Sequence, residues 1–145
     1  MSDKYDVLKL ANQLCFPLYA CAKEIVRKYK PFLDEIDLTY TQYITMMVMW
    51  ESKKINVKEL GERLYLDSGT LTPLLKRLEQ KGLVKRERDI TDERVLIVSI
   101  TEAGEALKEQ AVEIPYKMGG CVNLDKDDAK ELYRILRKML SDILV

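Results

Sequence analysis

Between Asn56 and Ile100 the apolar residues keep a helical spacing twice and then a β-type spacing twice, and few folds accept that order in so short a span. The first helix opens at Asn56, with Glu59 three residues on as its capping partner, and runs to about Tyr65. Leu66-Asp67 forms a tight turn into a second helix, capped by Asp67 or Ser68, with Pro73 in its early turns and Gly82 as its stop. Two β-type runs follow, Leu83 to Arg88 and Arg94 to Ile100, joined by the polar tip Asp89-Ile90-Thr91-Asp92-Glu93.

Helix, tight turn, helix, hairpin is the order of a winged helix-turn-helix, in which the second helix enters the major groove of DNA and the first braces it. Val57, Leu60 and Leu64 face inward on the brace, and Leu71, Leu74, Leu75 and Leu78 on the recognition helix, which leaves Ser68, Thr70, Thr72, Lys76 and Arg77 outward. Hydroxyls bond phosphates or base edges, and an arginine fork binds guanine. Periodicity alone accounts equally well for these residues as caps and solubilising charges. The hairpin tips the balance, because Asp92 stands two residues before Arg94, and Arg86 and Arg88 flank the tip. An arginine oriented by an aspartate suits a narrow, electronegative A·T minor groove, although an exposed ion pair on a hairpin has the same sequence. Lys76, Arg86 and Arg88 are placed on phosphates.

On either side of this unit the pattern is helical. A long amphipathic helix is expected from about Leu8 to Tyr29, interrupted by Pro17, and another from Thr39, where Thr39 and Gln42 make a capping box. The latter runs through Ile44 to Trp50, apolar nearly all round and therefore buried. Helix resumes at Thr101 and continues to about Pro115, Gly119-Gly120 interrupts it, and a last helix begins near Asp125. That helix carries the stripe Leu132, Ile135, Leu136, Met139, Leu140, Ile143 and Leu144. Apolar stripes at both ends of the chain, outside the central unit, favour a dimer interface. The expected architecture is mainly α with a small β-hairpin (α+β). One domain spans 1–145, with a winged helix-turn-helix at 54–101 and dimerisation helices at 5–35 and 105–145.

Composition narrows the function. The 145 residues contain no histidine, which removes the commonest partner of catalytic cysteines and serines and of zinc. No catalytic set, metal site or cofactor is expected. Three cysteines at uneven spacing argue against a disulfide framework and fit a reducing compartment. With no signal-peptide pattern at Met1-Ser2-Asp3-Lys4 and no membrane-length apolar run, the expected location is cytoplasmic, with no membrane partner. The formal net charge is zero, yet seven basic residues against three acidic ones between Arg63 and Arg88 give that stretch a net +4.

The segments Val57-Lys58-Glu59-Leu60-Gly61-Glu62-Arg63-Leu64 and Leu66-Asp67-Ser68-Gly69-Thr70-Leu71-Thr72-Pro73-Leu74-Leu75-Lys76-Arg77-Leu78-Glu79, with Asp92-Glu93-Arg94 and Ser99-Ile100-Thr101-Glu102-Ala103-Gly104, resemble the MarR family of bacterial regulators. Within it the sequence is most similar to the organic-hydroperoxide-sensing subgroup, from about Asn12 to Pro115. The resemblance covers Asn12-Gln13-Leu14-Cys15-Phe16 and implies that Cys15 is a reactive thiol, hydrogen-bonded by two tyrosines of the partner subunit that correspond to Tyr29 and Tyr40. Phenol donors stabilise a thiolate, and oxidation to sulfenic acid changes the bonds available at the dimer seam. Without the resemblance, Cys15 reads as inert core. Tyr19 is a weaker candidate for the same pocket; Phe16, Met46, Met47 and Trp50 read as core with some claim to its apolar wall.

Two features depart from the family pattern. Pro17 is expected to kink or restart the helix, setting Cys15 near a fresh helix N-terminus that favours the thiolate. Cys121, just after Gly119-Gly120, is preferred over Cys21 as a resolving thiol: the resemblance implies that some members of the subgroup use a second cysteine near the C-terminal helices, and Cys21, six residues from Cys15, lies on a different face of a regular helix. The implied function is a homodimeric repressor that binds a pseudo-palindromic operator in double-stranded DNA and releases it when an organic hydroperoxide oxidises Cys15. The alternatives are sensing of other oxidants or of a small aromatic ligand, a thiol peroxidase, and a winged helix used only to bind protein.

Overall fold

The structure, a computed structural model, describes residues 2–143. Its elements in order are α1 (Cys15–Asp34), α2 (Tyr40–Ser52), β1 (Lys54–Asn56), α3 (Val57–Leu64), α4 (Ser68–Gln80), β2 (Val84–Arg88), β3 (Leu96–Ile100), α5 (Glu102–Ala111), α6 (Ile114–Met118) and α7 (Lys126–Ile143). The mainly helical architecture with a winged helix-turn-helix at its centre is the one expected.

Helix starts follow side-chain chemistry. Thr39 and Gln42 form the full capping box of α2, and Asn56, Asp67 and Thr101 each accept an N–H from the first turn of α3, α4 and α5. Helix α4 ends where Gly82 takes a left-handed backbone (φ 78°). Its N–H donates to the Glu79 carbonyl and that of Leu83 to the Leu78 carbonyl, which satisfies the last turn and aims the chain into β2.

Four stretches differ from the expectation. No helix runs from Leu8; two 3-10 turns, Asp6–Leu8 and Leu10–Asn12, come first, and α1 begins at Cys15 and extends to Asp34. Asn12 Nδ2 donates to the Asp6 carbonyl at 2.8 Å and Gln13 Nε2 to the Val7 carbonyl at 2.6 Å, so side chains occupy acceptors that a helix would have used. Pro17 is then the third residue of α1, where its missing N–H costs nothing, and the restart leaves Cys15 as the first helical residue. Strand β1 makes the sheet three-stranded in the order β1-β3-β2, with Ile55 opposite Val98. At three residues it is too short to show alternation. The hairpin's second strand starts at Leu96 rather than Arg94, because the Arg94 and Val95 N–H groups are spent on Asp92. The helix expected from Thr101 to Pro115 breaks after Ala111, and Pro115 opens the short α6.

The core gathers around α2. Tyr43, Met46 and Met49 are fully enclosed there and meet Leu33 of α1, Leu60 of α3, Leu71, Leu75 and Leu78 of α4, and Val84 and Val98 of the sheet. All four leucines expected inward on α4 are buried, whereas Val57 and Leu64 are only half-buried. Met47 is the exception on α2, at 40% exposure. At the far end Trp50 Nε1 donates to the Gly104 carbonyl at 2.8 Å, tying α2 to the start of α5.

The termini contrast with this core. Helix α7 buries none of its described residues, and Leu132, Ile135, Leu140 and Ile143 stay exposed, as do Leu10, Leu14, Phe16 and Leu18 near the start of α1. Leu144, the last residue of the expected stripe, lies outside the described residues. Among the described residues no helix is long and apolar enough to cross a membrane.

Gly104 marks the tightest junction. A Cβ there would stand 2.3 Å from the Leu83 carbonyl oxygen and 2.7 Å from Ile100 Cγ1, so α5 seats against the base of the hairpin only with glycine. Gly104→Ala is expected to cost about 1–3 kcal/mol in urea unfolding. Gly120→Ala, where an added Cβ meets nothing within 4 Å, should stay within about 0.5 kcal/mol of wild type.

Candidate functional site

Helix α4 presents Ser68, Thr70, Thr72, Lys76 and Arg77 to solvent on the face opposite its four buried leucines. Asp67, not Ser68, is the cap, since its carboxylate accepts the Thr70 N–H at 2.7 Å. That bond, followed by one from the Thr70 hydroxyl, holds the Asp67 carboxyl below its usual range. The hydroxyls of Ser68 and Thr72 are left outward.

The hairpin is fixed to this helix by one residue. Arg86 donates its backbone N–H to Glu79 Oε2 at 2.8 Å and its Nη2 to Oε1 at 3.2 Å, and its side chain keeps only 22% of its exposure. Arg86, expected on a phosphate, is therefore turned back on α4 as a strut between recognition helix and wing. Arg88, at the end of β2, stays exposed.

The tip beyond Arg88 is cross-braced. Asp89 accepts both the N–H and the hydroxyl of Thr91 at 2.8 Å. Asp92 receives Arg94 Nε at 3.0 Å and Nη2 at 3.2 Å, a two-pronged contact that leaves the Arg94 side chain 90% exposed. The expected pairing of Asp92 with Arg94 is thus present, and it aims the guanidinium away from the protein. Between wing and helix pair runs a groove of about 890 Å³, lined by Asn56, Lys58, Tyr65, Ser68, Leu71 and Arg94. Lys58 and Tyr65 were not singled out in the sequence. Tyr65 gives only a weak signal, as the residue just before Leu66-Asp67, where it takes a left-handed backbone (φ 57°).

The sulfur chemistry lies elsewhere. Cys15 heads α1 and is exposed. Tyr29, near the far end of the same helix, packs its ring 5.0 Å from that of Tyr40. Fourteen residues of helix separate Cys15 from Tyr29, about 21 Å along the axis, so the thiol of one chain does not meet its own phenols. Tyr19 is 64% exposed, one turn after Cys15, and stands outside the phenol cluster. Tyr43, not anticipated as a site residue, joins that cluster with ring centroids 5.9 Å from Tyr29 and 6.4 Å from Tyr40. Its spacing three residues after Tyr40 was the available signal. Burial and the charge of Tyr40 push the Tyr29 hydroxyl above its ordinary pKa, and Tyr43, more enclosed, is pushed up to about 12. Cys121 is half-buried just after α6, its Sγ 3.6 Å from the Lys117 carbonyl oxygen, and Cys21 is exposed on α1.

Comparison with known proteins places this fold among winged-helix transcriptional regulators. Residues 27–111 match the family described as transcriptional regulator SarA/Rot. The chain is 48% identical over 143 residues to the organic hydroperoxide resistance transcriptional regulator of Bacillus subtilis, covering 99% of this chain and 97% of that one. It is also 48% identical over 132 residues to the regulator SarZ of Staphylococcus aureus, covering 91% and 89%. Among solved structures it superposes on reduced AbfR bound to DNA with a TM-score of 0.80 at 36% identity, over 99% of this chain and all of that one. AbfR, of Staphylococcus epidermidis, is also known overoxidized on DNA and in a disulfide-formed state.

The two carboxylates that frame α4 set a pH test. Asp67 and Glu79 are both held low, Asp67 by Thr70 and Glu79 by Arg86, so their contribution is complete above the ordinary carboxylate range and fades as pH falls through it toward their folded values. In Asp67→Asn/Glu79→Gln, which cannot titrate, the urea midpoint should fall less steeply than in wild type between about pH 5 and pH 3. Identical slopes would mean that neither contact carries stability.

Proposed function

This chain belongs to the SarA/Rot and MarR-type family of winged-helix transcriptional regulators, and from that premise we propose that it is a homodimeric repressor whose grip on an operator is released when an organic hydroperoxide oxidises Cys15. One observation carries the reading: the exposed thiol heads α1 while the paired phenols Tyr29 and Tyr40 stand at its other end, out of reach in the same chain. A second copy running in the opposite sense brings each sulfur onto the other chain's phenols, and covers the apolar faces at both termini. The redox state of one atom then bears directly on how the two protomers sit together.

On DNA the two-fold dimer sets α4 of each copy in successive major grooves, about one helical turn apart. Ser68, Thr70, Thr72 and Arg77 read base edges, with Lys76 and Arg88 on phosphates. Arg94, aimed by Asp92, enters an A·T minor groove, while Arg86 serves through Glu79 by holding the wing at a fixed distance from the helix. Residues 54–101 form the DNA-binding part, and 5–35 with 105–145 the dimerisation helices. Work in the cytoplasm keeps the thiol reduced until an oxidant arrives. Cys121 is the resolving thiol: its sulfur displaces water from the Cys15 sulfenic acid to leave an intersubunit disulfide. The groove between α3, α4 and the wing favours a second reading, a small aromatic inducer.

The purified protein should sediment as a dimer and bind an A·T-rich palindrome; a stable monomer would sink the proposal. Arg94→Ala should weaken operator binding on the order of 10- to 100-fold. Cumene hydroperoxide should release wild type but not Cys15→Ser, and release that survives in Cys15→Ser would select the ligand reading. On non-reducing gels the oxidised protein should give a dimer-sized band that is absent in Cys121→Ala.

A further inference from the structure

Tyr43 keeps 1% of its surface, and among the described residues its hydroxyl takes part in no hydrogen bond. No fully occluded polar side-chain atom among those residues lacks a partner, so the sliver that Tyr43 leaves open is at its oxygen. The ring itself is held firmly. Trp50 meets it edge-on at 6.5 Å and is fixed in turn by its bond to the Gly104 carbonyl. A phenol locked by packing, with its donor free and two further phenols beside it, is built to meet something that arrives from outside the chain.

We propose that Tyr43 is the third phenol of the thiol site and gives its proton to the alkoxide that leaves when Cys15 of the second copy cleaves an organic hydroperoxide. This rests on the reading of Cys15 as the sensing thiol. The Cys15 thiolate attacks the terminal oxygen of R–O–O–H; an S–O bond forms and the O–O bond breaks. Sulfur gives up two electrons and becomes a sulfenic acid, and the peroxide takes them as RO⁻. Tyr29 and Tyr40 are engaged with sulfur, so the departing oxygen needs another donor. An alkoxide is far more basic than a phenolate, so transfer from Tyr43 gives the alcohol ROH, and water returns the proton to the phenolate. Burial and the neighbouring phenols, which push Tyr43 up to about 12, keep its proton in place at neutral pH.

The test is Tyr43→Phe, which keeps the ring in the core. Second-order rate constants for Cys15 oxidation should be compared for cumene hydroperoxide, tert-butyl hydroperoxide and peracetic acid, whose leaving carboxylate needs no proton. The variant is expected to react roughly 100-fold more slowly than wild type with the two alkyl hydroperoxides and almost normally with the peracid. 3-Fluorotyrosine at position 43, which keeps a phenol proton, should recover most of the alkyl hydroperoxide rate lost in Tyr43→Phe, displaced from wild type only by the change in acidity. Unchanged rates, or equal slowing with all three oxidants, would overturn the assignment. If wild-type Cys15 itself resists alkyl hydroperoxides, the thiol reading has failed rather than the role of Tyr43. Should Tyr43→Phe not melt cooperatively, the fluorotyrosine protein decides alone: its rates with alkyl hydroperoxides must shift with the phenol's acidity while the peracid rate holds, and a flat response would reject the idea.

Discussion

Everything in this molecule is hung on α2. It is the most enclosed helix, and its surroundings leave it little freedom: Tyr43, Met46 and Met49 face apolar neighbours from α1, α3, α4 and the sheet. Its one buried amide is also accounted for. Gln42 Oε1 accepts from the Thr39 N–H at 3.1 Å and from Lys81 Nζ at 3.2 Å, so the start of α2 is joined to the end of α4. The other end is joined to α5 through Trp50. One rod therefore carries phenols at its head and is tied at its tail to α5, which seats against the base of the wing.

Legibility in the sequence followed the range of the interaction that decided each feature. Caps and stops depend on residues three or four apart, and Thr39, Asn56, Asp67 and Gly82 all stood where spacing placed them. The leucine face of α4 was readable because burial repeats with the helix. What escaped was decided by distant partners. Strand β1 exists because Ile55 finds Val98 across 43 positions of chain, which no local pattern records. The start of α1 was set by two amide side chains folding back on earlier carbonyls. In the site, Asp92 and Arg94 were legible as near neighbours, whereas the capture of Arg86 by Glu79 and the packing of Tyr43 between phenols and indole required the fold.

The same distinction revises the charge pattern. Of the seven basic residues between Arg63 and Arg88, Arg63 is paired with Glu51, Lys81 with Asp37, Lys85 with Glu87 and Arg86 with Glu79. Lys76, Arg77 and Arg88 are the exposed ones without an ion pair among the described residues. A neutral protein thus offers few cations to a polyanion, and its affinity should owe less to counterion release than the raw count implies.

The braced wing tip has a thermodynamic consequence. Loops that order themselves only on contact with a duplex charge that loss of freedom to the complex, and blur discrimination by adapting to many sites. Here Asp89, Thr91, Asp92 and Arg94 settle the tip when the chain folds. In the complex proposed above, a tip ordered beforehand leaves the fitting to the duplex, which favours sequences whose grooves deform easily.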